Sequence, residues 1–168
     1  MQTNCLSDAF FDEAIETAKA LDDYLDRTGK LVGPLHGLPI SLKDNLEIKG
    51  KDSTVGFTSW VNKPAEYNAT LVDMLEKLGA VRFCKTNVPT AMMIVYIPFA
   101  DQGEGLTGVQ AESVNNVFGR TVNPLNRKTT SGGSSGGESA LIAFGGSPLG
   151  VGTDIVRYTT SMSRFVRD

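Results

Sequence analysis

The segment that decides the fold is TTSGGSSGGESALIAFGG, which runs from Thr129 to Gly146. Four glycines and three serines fill the seven residues from Ser131 to Gly137, and Glu138 and an apolar, helix-forming run follow directly. Three interpretations compete for this segment: a flexible linker, a cradle for a phosphate group, and a loop that presents serine hydroxyls and backbone amides for chemistry.

The first two interpretations fit the surrounding residues poorly. A Gly/Ser linker separates domains, whereas this one leads straight into a buried-type helix and has few residues after it. A glycine-rich turn before a helix can bind an anion. However, Glu138 stands where the Walker pattern needs a lysine, and the preceding NPLNRKTTS is not the strand that a dinucleotide-binding pattern requires.

Composition excludes several classes of protein. A length of 168 residues suggests about one domain. A net charge of −3 without a basic cluster argues against a nucleic-acid partner. With Cys5 and Cys84 far apart and His36 the lone histidine, we expect no metal site. The chain shows neither a secretory signal nor an apolar run of about 20 residues, so we expect a cytoplasmic protein without membrane association.

The first 30 residues are dominated by one predicted helix. Apolar side chains at steps of three and four predict it over residues 6–27, with Ser7 or Asp8 as its cap and Gly29 after its end. These apolar positions are Phe10, Ala14, Ala18, Leu21 and Leu25. We treat residues 1–30 as an N-terminal amphipathic helix and assign it no chemistry.

Helices, glycine turns and apolar strands then alternate. We predict a strand over Leu38–Leu42, a helix over Thr70–Leu78 that stops at Gly79, and a buried strand in AVRFCKT, residues 80–86. The buried face of that helix is predicted to hold Leu71, Met74, Leu75 and Leu78. Residues 111–129 form an irregular connection, a helix extends from about 137 to 144, and another buried strand follows. This rhythm is typical of an α/β domain with a mostly parallel sheet.

A chemical role for the serines requires a base. His36 lies among glycines and prolines without an evident partner, so a Ser–His–Asp triad is not supported. Lys43, at the end of the apolar strand PISLKDN, is the other candidate, because a lysine beside buried apolar residues loses hydration and becomes neutral more easily. The competing interpretation is an exposed lysine that opens a turn, and on this segment alone it is favoured.

Three segments taken together resemble the amidase signature family, serine hydrolases that use a Ser–Ser–Lys triad on amides. They are GPLHGLPISLKDN (33–45), KTNVPTAMM (85–93) and NPLNRKTTSGGSSGGESALIAFGGSPLGVGTDI (123–155). The sequence of these segments is most similar to the branch of fungal acetamidases and fatty-acid amide hydrolases. The resemblance implies an α/β amidase signature fold, a mixed β-sheet flanked by helices, of which this chain holds the N-terminal part without the C-terminal part.

The resemblance also implies roles for individual residues. Lys43 corresponds to the catalytic lysine, and Ser134 to the bridging serine, which in the family sits on a cis peptide and relays protons. The substrate-binding region would include residues that support the loop by hydrogen bonding or line the acyl pocket: Ser131, Ser135, Met92, Met93 and Ile94. The reaction would release an acid and ammonia or an amine from a small-molecule amide, without a metal or organic cofactor.

The family's nucleophile is missing from its expected place. In the family GTDI is followed by Gly-Gly-Ser, whose backbone amides form the oxyanion hole. Here Val156, Arg157 and Tyr158 follow GTDI, and Tyr158 occupies the position of the nucleophile. We therefore expect this chain to be inactive. The alternatives are a non-catalytic amide-binding pseudoenzyme and an amidotransferase-type subunit, and the sequence does not indicate an oligomeric state.

A second departure is an unpatterned insert at residues 95–110. Without it, TAMMI joins AESVNNVFGRTVNP as continuous family sequence. The insert and the tail at 156–168 both begin with valine, whose codons start with GT as introns do, and the insert ends in Gln110, which CAG can encode. We therefore divide residues 31–155, the amidase part, from a non-family tail and hypothesise that both departures are retained introns. The missing C-terminal part should leave apolar edges exposed and favour aggregation.

Overall fold

The computed structural model describes residues 3–93 and 112–154. Its helices and strands are, in chain order, β1 (Leu6–Ala9), α1 (Phe11–Thr28), β2 (Pro39–Lys43), α2 (Thr70–Lys77), β3 (Val81–Thr86), β4 (Val114–Asn115), β5 (Gly119–Arg120), α3 (Gly136–Ala143) and β6 (Leu149–Val151). Two short 3-10 turns lie at Thr58–Trp60 and Thr90–Met92. The insert at 95–110 and the tail at 156–168 lie outside the described residues.

Four of the strands form one mixed sheet in the order β1-β3-β2-β6. The central strand β2 runs parallel to β3 on one side and to β6 on the other, whereas β1 pairs antiparallel with β3. In this register Ser41 lies opposite Cys84, and Lys43 lies opposite Thr86. The structure thus confirms the expected mixed sheet with flanking helices.

The two faces of β2 have different partners, because successive side chains of a strand point to opposite faces. Ile40 and Leu42 belong to an apolar cluster that includes Val72 of α2. On the other face, Ser41 and Lys43 make hydrogen bonds with residues of α3 and of the loop before it. A second apolar cluster packs Ala140 and Leu141 of α3 with Cys5 and Cys84. The alternation along β2 therefore aims its polar side chains at the glycine-serine segment.

The predicted N-terminal helix starts too early. Residues 6–9 form β1, which pairs with the outer edge of β3, and α1 begins only at Phe11. The proposed caps Ser7 and Asp8 are wrong, since Phe10 precedes the helix and no side chain caps it. The apolar spacing typical of a helix extends by chance into residues 6–9. Their conformation is determined instead by pairing with β3. The end of the helix is confirmed, because Gly29 follows it and donates its amide proton to the oxygen of Leu25.

The second predicted helix has the expected bounds within one residue, but of its predicted buried face only Leu75 packs on the core cluster. Val72 is fully buried, whereas Leu71, Met74 and Leu78 are exposed, with Met74 at 54%. Apolar residues occur on both sides of this short helix, and its orientation follows the contact of Val72 with the cluster around Ile40. The predicted stop is confirmed. Gly79 has a φ of +90°, which favours glycine, and its backbone packs on His36.

Two further expectations change near the end of the described chain. The stretch predicted as an irregular connection contains a small hairpin of β4 and β5, which the side-chain Oδ1 of Asn115 closes by accepting the amide protons of Val117 and Phe118. The predicted buried strand is β6, but it forms an edge of the described sheet, and Leu149 is 38% exposed. An exposed apolar edge was expected, while aggregation stays a prediction.

Candidate active site

Lys43 lies at the end of β2 and is fully buried, which excludes the interpretation as an exposed lysine that opens a turn. Its ammonium group donates two hydrogen bonds. The Nζ atom lies 2.7 Å from the Ser134 hydroxyl oxygen and 2.8 Å from the carbonyl oxygen of Thr153. The predicted base and the predicted bridging serine, 91 residues apart in the chain, are therefore in direct contact.

Burial changes the acidity of this lysine. It lowers the pKa of Lys43 from 10.5 to about 8, because the charged form loses its hydration, and the negative charges of Asp154 and Glu138 offset part of this effect. At pH 7 roughly a tenth of the molecules then carry a neutral amine, compared with fewer than one in a thousand for an ordinary lysine. A buried lysine in this environment can accept a proton near neutral pH.

Ser134 sits on a tightly held loop. The peptide bond between Gly133 and Ser134 is cis, as the resemblance implies. Ser134 is half-buried, whereas Ser131 and Ser135 on either side are buried. Ser131 donates its hydroxyl proton to the oxygen of Thr121 at 3.3 Å. The loop therefore leaves Ser134 partly accessible while its neighbours face the protein interior.

Ser135 joins this loop to the segment after β6. Its hydroxyl donates to the carbonyl oxygen of Thr153 at 3.1 Å and accepts the amide proton of the same residue at 3.3 Å. Thr153 also accepts the hydrogen bond from Lys43, so three parts of the chain meet at one residue. The hydrogen bonds show that Ser131 and Ser135 hold the loop, and direct contact of either with a substrate stays a prediction.

Ser113, which no sequence motif marks, fixes both ends of the same loop. Its hydroxyl donates to the oxygen of Gly132 at 3.2 Å and accepts the amide proton of Gly136 at 3.0 Å. Nearby, Arg120 forms two hydrogen bonds with the carboxylate of Glu112, at 2.8 and 2.6 Å. No local sequence pattern marks these residues. Ser113 binds backbone atoms, which any residue could supply, and its partners are about 20 residues away in the chain.

Glu138, which in the sequence only argues against a phosphate site, is a further buried residue beside the pair. The structure shows its side chain only 4% exposed, with the carboxylate facing β2 and β3 rather than solvent. The signal in the sequence is a carboxylate just before the apolar run of a short helix.

The remaining predicted residues lie at the limits of the described chain. Met92 is half-buried in the 3-10 turn Thr90–Met92, and Met93 is exposed. Ile94 and Tyr158 lie outside the described residues. The acyl-pocket role of the methionines and the occupation of the nucleophile position by Tyr158 stay predictions.

Other features of the described chain do not compete with this site. A cavity of about 520 Å³ is lined on one side by Asp8, Asp44 and Asp52, and neither Lys43 nor Ser134 lines it. Within residues 3–93 and 112–154, no three His, Cys, Asp or Glu side chains are grouped so that they could hold a metal ion. In the same ranges no helix is both long and apolar enough to cross a membrane.

Comparison with known proteins agrees with the resemblance. A family model described as Amidase matches residues 1–156. The chain is 51% identical over 152 residues to the putative amidase kk1C of Curvularia clavata and 46% identical over 153 residues to an acetamidase of Emericella nidulans. These matches cover 90% and 91% of this chain but 25% of each relative.

Solved structures give the same result. The structure of a fatty acid amide hydrolase superposes with a TM-score of 0.79 at 39% identity, and covers 91% of this chain and 24% of the other. The native peptide amidase from Stenotrophomonas maltophilia superposes with a TM-score of 0.74 at 25% identity, over 90% of this chain and 28% of the other. The chain thus spans about a quarter of the length of these relatives.

Proposed function

Because the chain belongs to the Amidase family, we propose that its function is the hydrolysis of a carboxylic amide, with Lys43 and Ser134 as the base and the bridging serine of a Ser–Ser–Lys triad. The observation that carries this proposal is the 2.7 Å contact between the Lys43 amine and the Ser134 hydroxyl. The pKa of about 8 that burial gives Lys43 supports its role as a proton acceptor.

The proposed reaction passes through an acyl-enzyme. A nucleophilic serine attacks the amide carbonyl and gives its proton to the oxygen of Ser134, which in turn gives its own proton to the neutral amine of Lys43. The proton returns by the same route to the leaving nitrogen, so that ammonia or an amine departs. Water then attacks the ester and releases the acid. The substrate is a small-molecule amide, and no cofactor takes part.

We further propose that this chain as written does not complete the reaction, because Tyr158 stands at the position of the nucleophile. The backbone amides of the oxyanion hole belong to the same altered stretch, and loss of one such donor costs about 3–4 kcal/mol of transition-state stabilisation. A pseudoenzyme that retains Lys43 and Ser134 and binds amides without turnover is the alternative. The cytoplasmic location and the division at residues 30, 95–110 and 156–168 stay predictions.

Two experiments test these proposals. An amide-hydrolysis assay with ammonia detection should find no turnover by this chain. Turnover that Lys43→Ala abolishes and the exposed control Lys77→Ala retains would contradict the inactivity but support the role of Lys43. Turnover that survives Lys43→Ala would refute the triad itself.

Transcript sequencing tests the origin of the two departures. Retained introns predict spliced reads that omit codons 95–110 and place Gly-Gly-Ser after Ile155. Reads that run without interruption through both regions would instead show that insert and tail are genuine parts of the protein. If the reads are spliced, the hydrolysis assay should be repeated on a chain that carries the spliced sequence.

A further inference from the structure

The carboxylate of Glu138 joins the two strands beside the candidate pair. Its Oε2 accepts the hydroxyl proton of Ser41 at 2.6 Å, and its Oε1 accepts that of Thr86 at 2.9 Å. Ser41 lies on β2 two residues before Lys43, and Thr86 lies on β3 directly opposite Lys43. Both carboxylate oxygens of Glu138 therefore accept hydrogen bonds from strand residues that lie close to Lys43 in the sheet.

Glu138 itself belongs to the helix that directly follows the loop of Ser134. It lies in the first turn of α3, which begins at Gly136. Ser134 lies two residues before α3 in the chain. The hydrogen bonds that the Glu138 carboxylate accepts from β2 and β3 therefore restrain the distance between Ser134 and Lys43. Charge-assisted hydrogen bonds such as these are shorter and stronger than neutral ones.

We propose that Glu138 is a positioning residue of the Lys43–Ser134 pair. It holds the loop against the sheet, and its negative charge favours the protonated form of Lys43, so that Lys43 loses its proton only at higher pH. This inference rests on the proposed function, in which Lys43 is the base. It adds an ionisable group beside the pair, and this group, together with burial and the charge of Asp154, contributes to the pH at which the base becomes available.

The charged and titratable groups around Glu138 come from each packed segment. Lys43 approaches from β2, Cys84 from β3 and Cys5 from the residue before β1, while Asp154, after β6, acts on Lys43. Burial raises the pKa of both thiols, so they stay neutral near pH 7. Lys43 is therefore the cation that Glu138 meets in this set.

Glu138 and Lys43 titrate in neighbouring pH ranges. Burial raises the pKa of Glu138 to about 7, although the hydrogen bonds from Ser41 and Thr86 and the charge of Lys43 oppose this change. Burial lowers the pKa of Lys43 to about 8, and the negative charges of Asp154 and then of Glu138 oppose part of this lowering. Because the two groups interact, they release their protons as a coupled pair. Removal of the carboxylate should then let Lys43 lose its proton at lower pH.

The backbone leaves space for this carboxylate at one glycine. A Cβ at Gly150 of β6 would overlap Glu138 Oε2 and would lie 2.9 Å from the Ser41 hydroxyl oxygen. Glycine at this position therefore lets the carboxylate reach β2. The Cδ1 atom of Ile142 in α3, also 2.9 Å from that Cβ, bounds the same space.

The test measures the ionisation of Lys43 by NMR in the full chain labelled with ¹³C at the lysine ε carbon. The Lys43→Arg variant identifies the Lys43 signal by its disappearance. We expect Glu138→Gln to move the midpoint of the Lys43 titration to lower pH by roughly half a unit or more. Glu138→Asp, which keeps the charge, should return the midpoint towards the original value.

Lys85 provides a control within the same molecule. It is also fully buried, but the charges that act on it are Asp44, Asp8, Asp52 and Glu47 rather than Glu138. Its titration should therefore stay unchanged in Glu138→Gln. Equal displacement of both lysines would indicate a general loss of structure and would overturn the proposal.

A second variant keeps the proposal testable if Glu138→Gln does not fold. Ser41→Ala removes one hydrogen bond that lowers the pKa of Glu138, so the carboxyl group should ionise at higher pH and the Lys43 midpoint should fall. An unchanged Lys43 midpoint in the folded variants would overturn the proposal. Because this measurement needs no turnover, its failure is distinct from failure of the hydrolysis assay.

Discussion

Replacement of Gly137 by alanine should destabilise the chain strongly, because the first turn of α3 lies directly on another backbone. A Cβ at Gly137 would lie 2.5 Å from the carbonyl oxygen of Asn87 and 2.7 Å from that of Cys5, whereas ordinary contact begins at 3.4 Å. Both obstacles are backbone atoms and cannot rotate away. The helix and the segment at Asn87 would have to separate by roughly 1 Å.

The cost of this separation can be estimated from its parts. Overpacking costs about 1–3 kcal/mol. The hydrogen bond from the Gly137 amide to the Asn87 oxygen, now 3.1 Å long, would break inside the protein and cost about 1 kcal/mol or more. The higher helix propensity of alanine returns up to about 1 kcal/mol. We expect a net loss of about 1–4 kcal/mol in the free energy of unfolding.

Urea denaturation followed by far-UV circular dichroism measures this loss as a lower midpoint with an unchanged slope. Ser139→Ala, in the same helix, is the matched control. It gains helix propensity and loses only the hydroxyl bond to the Ser135 oxygen, so its stability should change by less than about 1 kcal/mol. A Gly137→Ala chain as stable as this control would refute the close backbone contact.

Three further predictions concern buried polar or ionisable groups. Burial lowers the pKa of Lys43 from 10.5 to about 8, so between these pH values the unfolded chain binds more protons than the folded chain. Lys43 should therefore contribute a gain of about 3 kcal/mol to the free energy of unfolding from pH 8 to 10.5, measured as the difference between the pH series of denaturation curves for the original chain and for Lys43→Met, in which the other buried groups act alike. Ser113→Ala leaves the buried amide of Gly136 without its acceptor and should lower the urea midpoint by the equivalent of about 1–3 kcal/mol; no change would contradict the clamp. Burial raises the pKa of the Cys5 and Cys84 thiols, so an aromatic disulfide reagent at pH 8 should label them slowly in the folded chain and rapidly in urea.

The sequence predicts the candidate pair better than it predicts the support of that pair. Lys43 and Ser134 stand in motifs whose whole context resembles one family, and the structure brings them together. The bonds of Glu138 reach 97 residues back to Ser41 and 52 residues back to Thr86. No periodicity encodes such contacts, because they depend on which strands become neighbours.

The errors in the predicted elements have the same origin. The apolar spacing of residues 6–9 suits a helix, but the free edge of β3 takes them as a strand. In α2 the phase of the helix depends on where Val72 enters the core, and the neighbouring apolar residues allow more than one phase. Local sequence therefore predicts the order of elements well, whereas pairing across the sheet decides their ends and their buried faces.

The pairing of β2 with β6 has a consequence for synthesis on the ribosome. Lys43 leaves the ribosome 110 residues before Thr153, whose carbonyl oxygen it contacts in the folded chain. At about 5–20 residues per second, this interval lasts about 5–20 s. Throughout that time the central strand lacks β6, and until residue 86 is made it also lacks β3, so its lysine lacks contacts that bury it in the folded chain. The most buried charge of the site is thus the first part made and among the last to lose its water.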